Sequence, residues 1–276
     1  MQSEFGWIDW PKSFCYSFLM LDIKELSVSF GNFQAVKDVG FSLKRGETLG
    51  LLGESGSGKS TVALAIMRLI SYPGKIISGK ILLDGADLIK LGGEEMRKIR
   101  GAKISMIFQD PFSSLNPVFT VGEQIAEAFR YHQGLNRVEA WERSIEMLGT
   151  VQIRNPSARI HNYPHQFSGG MRQRVMIAMA LACNPEFLIA DEPTTALDVT
   201  VQAEILKLIA DLQNKFKLGV LFITHNFAII KQICDRVVVM RKGQVMEEGA
   251  TLEVLNNSRN AYTKNLIESV KVLAGE

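Results

Sequence analysis

The chain has 276 residues with 31 Lys and Arg against 29 Asp and Glu, a formal charge of only +2. Hydrophobic residues make up 46% and charged residues 22%, which argues for a globular chain with a sizeable core and against disorder. The balanced charge gives no basic field, so nucleic acid is not expected as a partner, and the longest stretch free of charged residues, Leu218 to Ile230, falls short of the about 20 apolar residues that a membrane-spanning helix needs.

Residues 1–19 crowd Phe5, Trp7, Trp10, Phe14, Tyr16 and Phe18 together with Glu4 and Asp9. The first positive residue is Lys12, which does not fit a secretory signal. This segment is read as an N-terminal extension of uncertain role, with either Met1 or Met20 as the start. A membrane-surface or partner-docking segment is the other reading, since clustered aromatics suit interfaces. From Leu21 the pattern is regular. Residues 26–30 alternate like a half-buried strand, and 41–43 resume the alternation after a turn-like interval. Residues 48–52 are a short apolar run that ends in a Gly/Ser-rich loop, and a helical stretch follows from Lys59 to about Ile70. Strands are expected at 76–83, closed by Asp84-Gly85, and at 104–108 before Gln109. Helical periodicity at 121–131 and 137–149, between proline-containing loops, predicts an inserted helical subdomain. Apolar strands return at 187–190, 220–224 and 236–240 with helices between them, the pattern of a mainly parallel sheet covered on both faces.

Gly53-Glu54-Ser55-Gly56-Ser57-Gly58-Lys59-Ser60 fits GxxxxGK[ST], with Thr61 following on the helix. Its glycines let backbone N–H groups and the helix N-terminus face a triphosphate. Lys59 would reach the β- and γ-phosphates, and the Ser60 hydroxyl would hold Mg²⁺. A preceding strand and a following helix are the context this motif requires, and both are present. Asp191 and Glu192 end a buried-type strand, and in a parallel sheet that is the edge shared with the phosphate loop. Asp191 would hold Mg²⁺ through water, and Glu192 would polarise the attacking water. Ser168-Gly169-Gly170 opens a helix from Met171 to Cys183, read either as a second anion-receiving helix N-terminus or as a helix simply capped by Ser168.

Five features stand in one order: GESGSGKS (53–60), IFQ ending at Gln109, FSGGMRQR (167–174), LIADEPTTALD (188–198) and FITH ending at His225. This order resembles the nucleotide-binding subunit of ATP-binding cassette transporters over residues 21–250. Within that superfamily, SLNPVFTVGEQI (114–125), YPHQFSGGMRQRVMIAMALAC (163–183) and ADEPTTALDVTVQAEIL (190–206) resemble the importers of dipeptides, oligopeptides and nickel. The Met171-Arg172-Gln173-Arg174 form is similar to their D-type ATPase. The resemblance implies an α/β P-loop NTPase core with an antiparallel β subdomain and a helical subdomain at about 110–183. The cassette would span residues 20–255, with a short tail at 256–276. It further implies that Gln109 senses Mg²⁺ and nucleotide and that His225 contacts the γ-phosphate. Asp198 would couple two ATP sites across a dimer, and Ser168, Gly169 and Gly170 would meet ATP held by the partner's phosphate loop. Phe30 sits where the family places an aromatic that stacks on adenine, although a core strand Phe is an equal reading.

The cofactors expected are therefore ATP and Mg²⁺. Two integral membrane permease subunits, a paralogous second ATPase or a second copy of this chain, and a solute-binding protein are the expected partners. They would meet at the cytoplasmic face of a bacterial or archaeal cell membrane, the permease docking on the insert at 110–165. Phe167 and Met171 depart from the commoner LSGGQ signature. Asn260-Ala261-Tyr262-Thr263-Lys264 resembles an HPYT-like segment, but no Cys follows it, which shifts weight from peptides towards nickel or a metal chelate. Another small solute is a further alternative, and a nucleotide-gated regulator without a permease is the reading from a different class. Cys15, Cys183 and Cys234 form no CxxC pair. His161 and His165 are separated by Pro164, which breaks the helix that would present both on one face.

Overall fold

In the computed structural model, residues 20–110, 114–195 and 197–274 are described; the aromatic segment 1–19, Cys15 and the readings attached to them lie outside the described residues. In chain order the elements are β1 (Met20–Phe30), β2 (Phe33–Lys44), β3 (Thr48–Leu52), α1 (Lys59–Ile66), β4 (Gly74–Leu83), β5 (Ala86–Asp87), α2 (Gly93–Ile99) and β6 (Ile104–Ile107). Then follow α3 (Val121–Gln133), α4 (Arg137–Thr150), α5 (Pro156–Arg159), α6 (Gly169–Leu181), β7 (Phe187–Asp191), α7 (Val199–Phe216), β8 (Gly219–Thr224), α8 (Phe227–Ile233), β9 (Arg236–Arg241), β10 (Gln244–Ala250), α9 (Thr251–Asn257) and α10 (Ala261–Ala274).

Among the described residues there are two sheets. One is antiparallel, in the order β2-β1-β4-β5, and the other runs β10-β9-β3-β8-β7-β6. In the second sheet every neighbouring pair is parallel except β9 with β10. Its parallel strands β3, β6, β7, β8 and β9 are buried on both faces, which is why they read as unbroken apolar runs. Alternate side chains enter two cores. Leu188, Ala190, Val220 and Phe222 face α6, α7 and the helical subdomain. Ile189, Leu221, Ile223 and Leu51 face α1 and the antiparallel sheet.

Three expectations on element boundaries need correction. The first strand begins at Met20 rather than Leu26, because Glu25 adopts φ 51° and the register shifts between Ile23 and Leu26. That bulge breaks the period-two pattern that sequence reading follows. The second strand starts at Phe33, so 33–40 is paired strand rather than a turn-like interval. The helix expected to reach Ile70 stops at Ile66, since Arg68 turns left-handed at φ 50° and its guanidinium donates to Leu88 O at 3.2 Å. Beyond the last expected strand, β10, α9 and α10 continue the fold, and Tyr262 and Ile267 join the main core.

The helical subdomain is built by capping as much as by packing. Thr120 Oγ1 accepts from Glu123 N at 3.2 Å and Glu123 returns a carboxylate to Thr120 N at 3.1 Å; Asn136 and Glu139 repeat the device at α4. Gly122 lets α3 approach α4 and the end of α5. A Cβ there would lie 2.3 Å from Ile160 Cγ1, 2.7 Å from Ile160 O and 2.8 Å from Trp141 Cη2. Gly122→Ala is therefore expected to destabilise the chain by about 1–3 kcal/mol, the cost of overpacking, measured by denaturant unfolding. An unchanged midpoint would show that these helices slide apart freely.

Candidate functional site

The sheet order places β3, β8, β7 and β6 side by side with their carboxyl ends on one rim, the edge at which open parallel sheets bind ligands. Gly53 follows β3, His225 follows β8, Asp191 and Glu192 close β7, and Gln109 lies just past β6. Residues far apart in sequence thus meet because their strands are neighbours, with Leu52 opposite Thr224 and Asp191 opposite Ile223.

The phosphate loop is braced from below by the β9–β10 turn. Gly243 N donates to Ser57 O at 2.9 Å, and a Cβ on Gly53 would come within 2.3 Å of Met240 O. Gly58 at φ 101° precedes α1 and gives it no side-chain cap, whereas Ser168, Asp198, Thr120 and Asn136 cap their helices. The first N–H groups of α1 are thereby left for a ligand, an arrangement that fits an anion. Lys59 is buried, and its Nζ donates to Gly53 O at 2.7 Å and Glu54 O at 2.8 Å, with Ser57 Oγ at 3.4 Å. Burial lowers its ammonium from the ordinary lysine value, opposed by the charges of Glu192, Asp191 and Glu54. Ser55 and Gly56 are exposed at the loop tip, and Thr61 is half-buried in the first turn of α1.

Ser60 Oγ donates to Asp191 Oδ1 at 3.1 Å. These two oxygens suit a hard cation that keeps several waters, as Mg²⁺ does; Gln109 lies on the same rim with its Nε2 on Glu192. Glu192 adopts φ 44°, a conformation uncommon for a residue with a Cβ and concentrated at functional positions. This turn brings three side chains to its carboxylate: Thr195 Oγ1 at 2.9 Å, His225 Nδ1 at 3.1 Å and Gln109 Nε2 at 3.3 Å. Burial acts to raise the Glu192 carboxyl, but hydrogen bonds from His225 and Thr195 and the charges of His225 and Lys59 outweigh it, so it lies below the ordinary glutamate value. Burial raises Asp191, assisted by Glu192 and opposed by Ser60 and Lys59. Two adjacent carboxylates are thus driven in opposite directions, the mark of divided roles.

The raised Asp191 carboxyl has a consequence for stability. The unfolded chain ionises first, so the folded state becomes relatively less stable as pH rises through the carboxylate range. Asp191→Asn keeps an oxygen for Ser60 and removes the buried charge. It is expected to raise the melting temperature of the nucleotide-free chain near neutral pH, with the gain vanishing below about pH 4. A lower melting temperature near neutral pH would show that Asp191 is not held at a cost.

The remaining sequence candidates form a second group. Ser168 Oγ accepts from Met171 N at 3.4 Å, and Asp198 Oδ1 accepts from Val201 N at 3.0 Å. Their helices touch, since a Cβ on Gly170 would lie 2.5 Å from Val201 and one on Gly169 3.5 Å from Leu197. Among the described residues, this group makes no hydrogen bond or ion pair to the phosphate loop. Phe30 is half-buried at the end of β1, its ring over Gly74, while Phe33 opposite it is exposed. Arg172 and Arg174 are structural: Arg172 Nε donates to Pro164 O at 2.8 Å, and Arg174 binds Val151 O, Gln152 and Glu204. Met176 is core, with Met171 and Met179 packed against it. His161 lies against Trp141 and His165 stacks on Tyr163. Cys183 and Cys234 are free thiols that burial pushes up, Cys183 to about 11. Sequence reading missed Thr195 and the Gly243 brace. Thr195 had a signal, lying three residues after Glu192; Gly243 had none, because its role is a contact between two loops far apart in the sequence.

Known proteins resemble this chain over most of its length. The family described as ABC transporter matches residues 36–195. The oligopeptide transport ATP-binding protein OppD of Bacillus subtilis is 49% identical over 259 residues, covering 92% of this chain and 72% of that protein. The dipeptide transport ATP-binding protein DppD of Escherichia coli is 47% identical, covering 92% and 79%. A solved dimeric post-hydrolysis state of the ATP-binding cassette MJ0796, bound to ADP and Pi, superposes with a TM-score of 0.73 at 30% identity, covering 84% of this chain and 98% of that one. No described helix is long and apolar enough to cross a membrane.

Proposed function

Because this chain belongs to the ABC transporter ATP-binding family, we propose that it drives the import of short peptides by binding and hydrolysing ATP at the rim described above. The observation that carries the reading is the shared carboxylate end of β7, where Asp191 meets Ser60 of the phosphate loop and Glu192 meets His225 and Gln109. Residues 53–61 receive the triphosphate, and Lys59 meets its β- and γ-oxygens. Mg²⁺, held by Ser60, Asp191 and Gln109, would neutralise charge on those oxygens when bound. Glu192, ionised at neutral pH, accepts the proton of a water, His225 orients that water, and Phe30 offers its ring to the adenine.

The second group has its place across a dimer interface. Ser168, Gly169 and Gly170 take the phosphates bound to the partner's loop, and Asp198 links the two sites. A dimer of this kind closes on ATP and reopens after hydrolysis, a closure set by γ-phosphate contacts. The partners are two membrane-embedded permease subunits, a second ATPase subunit and a solute-binding protein, assembled at the cytoplasmic face of the membrane. Exposed Phe108, Val118 and Phe119 flank the segment that follows Gln109, and they suit an apolar permease element. Peptides are favoured over nickel by the functions of the similar proteins, oligopeptide and dipeptide transport.

Reconstitution with the permease and binding protein tests this reading. ATP-dependent uptake of di- to pentapeptides is expected. Uptake of a nickel chelate without peptide uptake would overturn the cargo, and a chain that never co-purifies with integral membrane proteins would overturn the transporter role itself.

A further inference from the structure

The C-terminal turn, residues 258–263, is tied to β10, the edge strand that leaves the turn bracing the phosphate loop. Glu247 of β10 accepts from Ser258 Oγ at 2.5 Å and from Arg259 N at 2.7 Å. Asn260 donates to Met246 O at 3.2 Å and accepts from Tyr262 N at 2.8 Å. These bonds fix the start of α10 and drive Tyr262 inward, where it is buried in the main core. Arg241, at the β9–β10 turn that braces Ser57, lies over the Tyr262 ring at 4.4 Å. The phenol oxygen is fully buried and has no hydrogen bond of full geometry among the described residues. Glu54, the second residue of the phosphate loop, acts on it electrostatically: burial first, then the Glu54 charge, raises the phenol. A buried hydroxyl without a partner is costly, and Glu54 of the loop is a neighbour whose charge reaches it.

We propose that Tyr262 is a positioning residue for the phosphate loop: its ring supports the Arg241–Gly243 turn beneath Ser57, and its hydroxyl takes up Glu54 when the loop adopts its nucleotide-receiving form. A glycine-rich loop loses much conformational freedom when it closes on a ligand, and holding it in place beforehand lowers that cost. The C-terminal turn thus contributes to ATP affinity without touching ATP. This inference rests on the reading that residues 53–60 bind the triphosphate.

The test is nucleotide binding and steady-state ATP hydrolysis by the purified full chain and its Tyr262→Phe variant, which keeps the ring and removes only the hydroxyl. Tyr262→Phe is expected to bind ATP about threefold to tenfold more weakly, the range of one hydrogen bond, raising KM with kcat unchanged. The nucleotide-free melting temperature does not fall, because the hydroxyl removed is buried without a partner. Ile267→Val, buried on the same helix, supplies the structural control and is expected to lower the melting temperature without changing ATP affinity. Wild-type affinity in Tyr262→Phe, or an equal loss of affinity in Ile267→Val, overturns the inference alone. A wild-type chain that fails to bind ATP overturns the site reading and the inference together.

Discussion

Glu192→Gln is expected to bind ATP like the wild type and to turn it over about 10²–10⁴-fold more slowly, the span that a positioned general base contributes. The substitution is nearly isosteric, and the left-handed backbone at φ 44° is unaffected by the amide. Thr195 and Gln109 reach one carboxylate oxygen and His225 the other, all within 3.3 Å. An amide oxygen in the first place can still accept from Thr195 and Gln109, while the amide NH2 faces His225 Nδ1, which must then act as acceptor. What disappears is the negative charge and the basic oxygen. The carboxyl of Glu192 lies below the ordinary glutamate value, so it is ionised at neutral pH and ready to accept a proton. Neighbouring Asp191 cannot take over, because burial favours its protonated form and Ser60 occupies one of its oxygens. Single-turnover hydrolysis with saturating ATP checks this directly, with nucleotide binding measured on the same preparation. Wild-type turnover would move the base elsewhere, and lost binding would mean that Glu192 helps to form the nucleotide pocket rather than to activate water.

The parts of this site differ in how far the sequence alone reveals them. The phosphate loop is legible because its chemistry is contiguous: eight successive residues carry the glycines, the lysine and the hydroxyl, and their neighbours carry the strand and helix. Asp191 and Glu192 are a weak signal by themselves, since an apolar strand often runs into an acidic loop, and they become legible only because a phosphate loop stands in the same chain. Gln109 and His225 are different. Each is a single polar residue at a strand end, and only their order relative to the other motifs marks them. Their meeting at Glu192 depends on β6, β7 and β8 being neighbours, which is a long-range property of strand pairing. The left-handed turn at Glu192 has no local signal at all, because glycine is the residue that usually announces such a conformation. The same limit explains the boundaries. Alternation fails at Glu25 because a bulge inserts a residue, and the helix after the loop stops early because Arg68 finds its partners on a segment some twenty residues away. β10 and the C-terminal helices were invisible because β10 alternates too weakly in hydrophobicity and is held by its partner strand β9.

Lys59→Ala is expected to weaken ATP binding by about 2–5 kcal/mol, roughly 30-fold to 5,000-fold, the cost of removing one member of a desolvated charge contact. The lysine acts twice. Its ammonium ties Gly53 O and Glu54 O together at 2.7 and 2.8 Å, which keeps the loop curved so that the backbone N–H groups converge. It also supplies the one positive side chain buried within the loop, and burial has already stripped it of most of its water. A group that is desolvated before the ligand arrives gives up less on binding than a hydrated surface lysine would. Alanine loses both effects and leaves Asp191 and Glu192 facing the phosphates without a compensating charge. Lys59→Arg should fail to restore binding, because a planar guanidinium cannot direct its donors at two loop carbonyls and a phosphate from the space that an ammonium occupies. Titration with a fluorescent ATP analogue decides the matter for both variants. Tight binding by Lys59→Ala would mean that the N-terminus of α1 alone holds the triphosphate; restored binding in Lys59→Arg would mean that charge, and not the hold on the loop carbonyls, is what the site requires.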